Sequence, residues 1–253
     1  MSKGRWKHAV VIGASSGIGE AVAAELAGQG VSVALVARRK NELDRVAAKI
    51  SVHGSRPGQK ILTYHHDATN FAEVPELFQK IASDLGGLDL IVYSAGVMPE
   101  VAPNEYDFAK DRSMIDVNVL GAIAWLNEAA KRFQNVGGGS IVGISSIAGE
   151  RGRKGTPVYY TSKAALSTYL ESLRNRLAQY GTTVTTIKPG LIRTIMTAKQ
   201  PNGLWMISPE EAAVQIVNAA RSGAIVKYVP WKWRMVSFVL HLLPSFIFRR
   251  LNF

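Results

Sequence analysis

Two apolar rhythms alternate along this chain. Short runs rich in β-branched residues fall at 8–12, 31–37, 60–66, 88–93, 140–145, 183–188 and 224–229, and they predict strands. Longer segments at 17–28, 41–50, 70–85, 107–133, 157–180 and 209–221 read as helices. Such alternation predicts a parallel sheet covered on both faces. Val31, Val33, Leu35 and Val36 form a nearly continuous apolar run, as a strand buried on both sides requires. Ser208-Pro209-Glu210-Glu211 supplies an N-cap, a proline at the first helical position and a glutamate at N3, so a helix begins at 209. With right-handed crossovers these elements build a doubly wound α/β Rossmann sheet of about seven parallel strands. Ligands of such a sheet sit at the carboxyl ends of its strands.

A glycine-rich stretch, Gly13-Ala14-Ser15-Ser16-Gly17-Ile18-Gly19, follows the first strand directly and opens the first helix. Its G-x-x-x-G-x-G spacing differs from G-x-G-x-x-G but serves the same end. Glycines let the backbone approach a pyrophosphate at a helix N-terminus. A plain strand-to-helix turn is the alternative. The second strand ends in Ala37-Arg38-Arg39. Dinucleotide sites that take NAD place a carboxylate there for the ribose 2′-hydroxyl. Here an arginine can clamp a 2′-phosphate through charge-assisted bonds, which points to NADP; the alternative is a pair of solvated loop charges.

Tyr159 precedes Lys163 by four residues, and Ser146 ends a strand thirteen residues before the tyrosine. On a helix the i,i+4 spacing puts phenol and ammonium on one face. A free phenol titrates near ~10, too high for ready proton exchange at neutral pH. A neighbouring ammonium is expected to lower that value. Ser146 can hold a substrate oxygen beside a Tyr159 that protonates a carbonyl. Read singly, Tyr159 is a half-buried aromatic and Lys163 a solvated helix residue.

Taken together, residues 7–230 resemble the short-chain dehydrogenase/reductase superfamily, in its single-domain NADP-preferring branch. The resemblance rests on the glycine loop, Ser94-Ala95-Gly96, Asn118, Ser146, Tyr159, Lys163 and Pro189-Gly190 through Thr194. It implies an Asn118–Ser146–Tyr159–Lys163 catalytic tetrad. Asn118 would position a water that relays protons through Lys163 and the cofactor ribose, whose hydroxyls Lys163 also holds. It further implies cofactor contacts from Gly13, Ser15, Ser16, Gly17, Ile18 and Gly19, and from Arg38 and Arg39. Asp67 and Ala68 would meet the adenine, and Ala95 and Gly96 the ribose side. Pro189, Gly190, Ile192 and Thr194 would lie at the nicotinamide, with Ile192 and Thr194 on its amide. Ser145 and Tyr160 are adjacent decoys. Ile12 and Ser94 depart from the family pattern, which usually has threonine and asparagine there. Residues 195–207 would form a mobile lid, and its Met196, Leu204, Trp205, Met206 and Ile207 favour an apolar small-molecule substrate: a steroid, acyl or other lipid-like ketone. Two other readings remain: a non-catalytic NADP-binding scaffold or sensor, and a nucleotide-sugar-modifying enzyme of the same superfamily.

Composition adds limits. A chain of 253 residues suffices for one core, and with no cysteine it forms no disulfide, which suits a reducing cytoplasm. No metal-spaced Cys/His cluster is present, and His65-His66 reads as a strand-end pair without metal. The net charge is +11, yet no nucleic-acid motif accompanies it. No acidic residue follows Glu211, while Arg221, Lys227, Lys232, Arg234, Arg249 and Arg250 do. Residues 231–253 leave the compact family pattern, with aromatic and cationic residues bracketing an apolar stretch too short to span a bilayer. They are expected to lie in a membrane interface, against another subunit of a homodimer or homotetramer, or over the substrate cleft.

Overall fold

The computed structural model describes residues 6–52, 56–198, 203 and 205–250. Seven strands, β1 (His8–Ile12), β2 (Ser32–Ala37), β3 (Ile61–His65), β4 (Leu90–Tyr93), β5 (Gly139–Ile144), β6 (Thr182–Pro189) and β7 (Val226–Val229), form one sheet. The order is β3-β2-β1-β4-β5-β6-β7, with every pairing parallel. The doubly wound sheet expected from the alternation is therefore what the chain builds. Within β1, Ala9 and Val11 point into one apolar layer and Val10 and Ile12 into the other. The first layer is closed by α1 (Gly17–Gly28), α2 (Lys40–Val52) and α7 (Pro209–Ser222). The second is closed by α3 (Val74–Leu85), α5 (Gly121–Val136) and α6 (Pro157–Leu177). All six residues of β2 are buried, which explains its unbroken apolar run.

The helix start at 209 is capped as its sequence dictates. Ser208 Oγ accepts from the Glu211 amide at 3.1 Å, and Glu211 Oε2 accepts from the Ser208 amide at 3.0 Å. Three helices differ from expectation, the segment at 157–180 closing in a 3-10 turn at Ala178–Tyr180 after α6. The segment at 70–85 opens with a 3-10 turn at Phe71–Glu73 before α3. The segment at 107–133 is not one α-helix. It runs as α4 (Phe108–Ile115), a π-helical turn at Asp116–Leu120, and then α5. Single π turns inside helices recur at functional sites, and this one carries Asn118.

The C-terminal segment forms α8 (Trp233–Leu242) and α9 (Ser245–Phe248). These pack against their own chain rather than projecting from it. Arg151 donates to the carbonyls of Leu240 at 2.6 Å and Leu243 at 2.5 Å, capping the end of α8, and lies 4.0 Å over the Phe248 ring. Among the described residues, no helix is long and apolar enough to cross a membrane.

Candidate functional site

The strand order reverses beside β1, and at that switch point a cleft of about 310 Å³ opens at the carboxyl ends of the strands. Its floor on one side is the loop after β1. Gly13 has φ +89°, and a Cβ there would lie 2.5 Å from the Ala95 amide nitrogen, so the loop can adopt this path only with glycine. Gly13, Ser15, Ser16, Gly17 and Ile18 line the cleft. Gly19 does not. It sits beneath the loop, where a Cβ would meet the Gly13 carbonyl oxygen at 2.2 Å. The N-terminus of α1 thus faces the cleft with its unpaired amides, a ready anion site.

Arg38 and Arg39, directly after β2, line the same end, but they are held differently. The Arg39 guanidinium donates to Ser15 Oγ at 2.9 Å and Ser16 Oγ at 2.6 Å, bridging the glycine loop. Arg38 reaches toward Asp67 Oδ2 at 3.7 Å with its side chain 65% exposed. Burial works against ionisation of Asp67. Hydrogen bonds from the Thr69 amide and hydroxyl, with Arg38 nearby, nevertheless hold its carboxyl below the usual range. Asp67 and Ala68 border the cleft after β3, and Ala95 and Gly96 after β4. His66, the second of the paired histidines, is buried edge-on to Trp125 at 5.5 Å and also borders the cleft. Among the described residues, no group of three or more His, Asp or Glu side chains gathers as for a metal.

At the other end, Ser146 follows β5 and Tyr159 and Lys163 come from α6; all three line the cleft. Gly149 lets the Ser146 loop approach α6, since a Cβ there would lie 2.7 Å from the Lys163 carbonyl carbon. Ser146 stands beside the Tyr159 phenol, its Oγ accepting from the Ala148 amide at 3.0 Å. Lys163 is 5% exposed, and its Nζ donates to the Ile144 carbonyl at 3.1 Å and lies 5.8 Å from the Tyr159 ring. The expected depression of the phenol by the lysine is not found. Burial pushes Tyr159 above its ordinary value, partly opposed by the Ser146 hydroxyl, and burial pulls Lys163 down to about 8. The reason is common to both: the deep end of the cleft penalises either charged form.

Asn118 does not face the open cleft. Its side chain is fully buried, accepts from the Val97 amide at 2.8 Å, and donates to the Val97 carbonyl at 3.0 Å and Ser162 Oγ at 3.0 Å. It pins the loop after β4 to α6. Ser145, set aside as a decoy, does structural work, bonding the Lys163 carbonyl at 2.9 Å. Tyr160 lies under Arg153 at 5.0 Å.

Pro189 at the end of β6, and Gly190, Ile192 and Thr194 after it, close the cleft, with Ile195 and Met196 beyond them. Of the segment expected as a lid, residues 199–202 and 204 lie outside the described residues. Its base is tethered: Ile192 bridges to Ile207, and the Arg193 amide donates to the Ile207 carbonyl at 3.0 Å. Trp205, at φ 62°, meets Trp233 edge-on at 6.2 Å. Trp233 also fills the place of a side chain at Gly190, where a Cβ would come 2.1 Å from the indole nitrogen. Trp233 and Ser94, which also borders the cleft, were not among the expected site residues. An indole well past the last conserved-looking motif carries no spacing signal, whereas Ser94 stands in the quoted Ser94-Ala95-Gly96 motif.

Glu150 ties these parts together. Its buried carboxylate pairs with Lys188 at 2.7 Å, accepts from the Tyr228 hydroxyl at 3.0 Å and lies 3.5 Å from His241 of α8. The Ser146 loop, the end of β6 and the C-terminal helix are thereby one ionic cluster.

Comparison with known proteins agrees with this geometry. The family model described as short chain dehydrogenase matches residues 7–204. An uncharacterised oxidoreductase of Staphylococcus aureus is 35% identical over 214 residues, covering 84% of this chain and 90% of that protein. A short-chain type dehydrogenase/reductase from Mycobacterium ulcerans superposes with TM-score 0.81 at 25% identity, over 97% of this chain and 98% of that one. ElxO, solved with NADP bound, superposes with TM-score 0.78 at 23% identity, over 90% and 99%.

Proposed function

The chain belongs to the short-chain dehydrogenase family, and from that premise we propose that it is an NADP(H)-dependent oxidoreductase interconverting a ketone and a secondary alcohol on an apolar substrate. One observation carries the reading: a single cleft joins Ser146, Tyr159 and Lys163 at one end to an arginine-bridged glycine loop at the other.

The residues present fit the cofactor. Gly13 lets the loop close against Ala95, so that the α1 N-terminus faces the cleft where a pyrophosphate would lie, and no carboxylate directly follows Ala37 to repel a 2′-phosphate. Arg39, held by Ser15 and Ser16, and the exposed Arg38 would hold that phosphate. Arg39 is the better clamp because two hydroxyls fix its fork. Lys163 would hold the ribose, and Ile192 and Thr194 the carboxamide. The NADP found with ElxO, a protein of the same fold, is in keeping with this choice. Bound NADPH would supply the hydride.

The chain's own part is proton transfer. Ser146 orients a carbonyl oxygen toward the phenol, and Tyr159, kept protonated by burial, donates to it. Lys163, with a value near 8, carries its charge at neutral pH close enough to stabilise the phenolate that results. Ile195 and Met196 line the substrate end with much of their surface open, which supports an apolar substrate.

The test is NADPH oxidation against a panel of steroid, acyl and short polar ketones, with mass spectrometry of co-purified nucleotide. Tyr159→Phe is expected to lose about 10²–10⁴-fold in turnover while binding NADPH as before. Wild-type turnover by that variant would remove Tyr159 from the mechanism. Arg38→Asp is expected to shift preference toward NADH.

A further inference from the structure

The packed side of α8 is narrow. Ser237 and Leu240 are buried, Ser237 bonding the Tyr228 hydroxyl at 3.0 Å, and Trp233 seals against Gly190. Its opposite side should then be polar, as on a surface helix. It is apolar instead. Met235, Phe238, Val239 and Leu242 recur at i, i+3, i+4 and i+7 with exposures of 61, 66, 53 and 66%. Trp231 before the helix and Phe246 in α9 are exposed as well, both at 59%. A contiguous apolar surface of this kind on a protein marks a contact.

Charge decides which contact. Lys232 and Arg234 stand exposed at one end of the face and Arg249 and Arg250 at the other, and no carboxylate occurs anywhere after Glu211. A second copy of this cation-flanked, acid-free face would meet it with like charge. An anionic lipid headgroup layer meets it with opposite charge, and lipid beneath takes the aromatic and aliphatic stripe. The geometry points to α8–α9 as a monotopic docking face for an anionic bilayer surface. Because Trp233 touches both Trp205 of the lid segment and Gly190 of the cleft, docking brings the lid side of the cleft to the lipid. The docking itself does not depend on the chemistry proposed for the cleft.

Flotation of the full chain with vesicles tests it without substrate, using phosphatidylglycerol mixed equally with phosphatidylcholine against phosphatidylcholine alone. Wild type is expected to float with the anionic vesicles and to be only partly released by high salt, since the apolar part is unscreened. Phe238→Asp with Leu242→Asp, both on open surface, is expected to weaken binding by more than about ten-fold. Arg249→Gln is expected to weaken it by about five-fold. Unchanged thermal melting and NADPH binding would show the variants folded. Full-length protein that stays with the unbound fraction on anionic vesicles at low salt overturns the proposal. So does a wild-type dimer that ignores vesicles and becomes monomeric in the Phe238→Asp, Leu242→Asp variant, which assigns the face to a second copy. If the Phe238→Asp, Leu242→Asp variant is unfolded, the Arg249→Gln arm decides: unchanged vesicle binding there counts against the assignment.

Discussion

The segment Pro189–Thr194 meets opposite neighbours on its two sides, and each meeting is made by a missing side chain. Toward the start of the chain, a Cβ at Gly17 would come 3.2 Å from Thr194 Cγ2, and the space is left open within the cleft. Toward the end of the chain, the space at Gly190 is filled by the Trp233 indole. The nucleotide side is built from backbone: glycines, helix amides and strand ends. The side toward the end of the chain is built from side chains, Trp205, Trp233 and the Glu150 cluster. Backbone-built regions tolerate almost no substitution at their glycines, while side-chain-built regions can trade one filler for another.

That contrast can be broken first at Gly13. Its positive φ and a 2.5 Å approach to backbone leave no atom free to move, so Gly13→Ala is expected to destabilise by roughly 3–5 kcal/mol. Denaturant unfolding measures it; a loss under about 1 kcal/mol would mean the loop is not backbone-limited.

Lys163 sharpens the contrast from the deep end. Its folded value of about 8 lies below the ordinary 10.5 of the unfolded chain, because burial disfavours the charge. Below pH 8 both states carry the proton and the full cost of burying it is present. Between pH 8 and 10.5 the unfolded chain binds the proton more, so native stability rises with pH across that window. Lys163→Met is therefore expected to be more stable than wild type at neutral pH by on the order of 3 kcal/mol, less the lost bond to Ile144. The advantage should shrink as pH climbs toward 10, while turnover is lost at every pH. Parallel melts of the two proteins across pH measure it, and a pH-independent difference would assign the effect to packing instead.

On the lid side, Gly190→Ala is expected to cost about 1–3 kcal/mol by overpacking against the indole. In a Trp233→Leu background that cost should fall below about 1 kcal/mol, because the filler has been made smaller. Equal costs in both backgrounds would show that Trp233 does not occupy the site of the missing side chain.

The same contrast explains what was legible in the sequence. The parallel sheet and most strand limits followed from runs such as Val31–Val36, because burial on both faces leaves a continuous apolar signature. The Ser208–Glu211 cap was equally plain, since capping is local. Residues lining the cleft from the glycine loop, Ser146, Tyr159 and Lys163 were found because order and spacing carry them. The π turn at Asp116–Leu120 left no mark, as no residue type there demands it. Nor did α8 read as a helix: its apolar stripe at Met235, Phe238, Val239 and Leu242 faces outward, opposite the buried Ser237 and Leu240, and so marks no core face. Adjacent Arg38 and Arg39 could not be told apart until the end of β2 turned one toward Ser15 and Ser16 and the other toward Asp67. The raised phenol of Tyr159 was missed because spacing gives the lysine's charge but not how deeply both groups are buried.

The proposed preference for NADP(H) rests on Arg39, whose guanidinium bridges Ser15 and Ser16 of the glycine loop. Calorimetric titration of wild type and Arg39→Ala with NADPH and NADH tests it most directly. We predict that wild type binds NADPH at least about ten-fold tighter than NADH, as a charge-assisted phosphate contact provides. Arg39→Ala should erase most of that preference while leaving NADH affinity within about two-fold. Equal affinity of wild type for the two nucleotides, or a preference untouched by Arg39→Ala and Arg38→Ala together, would contradict it.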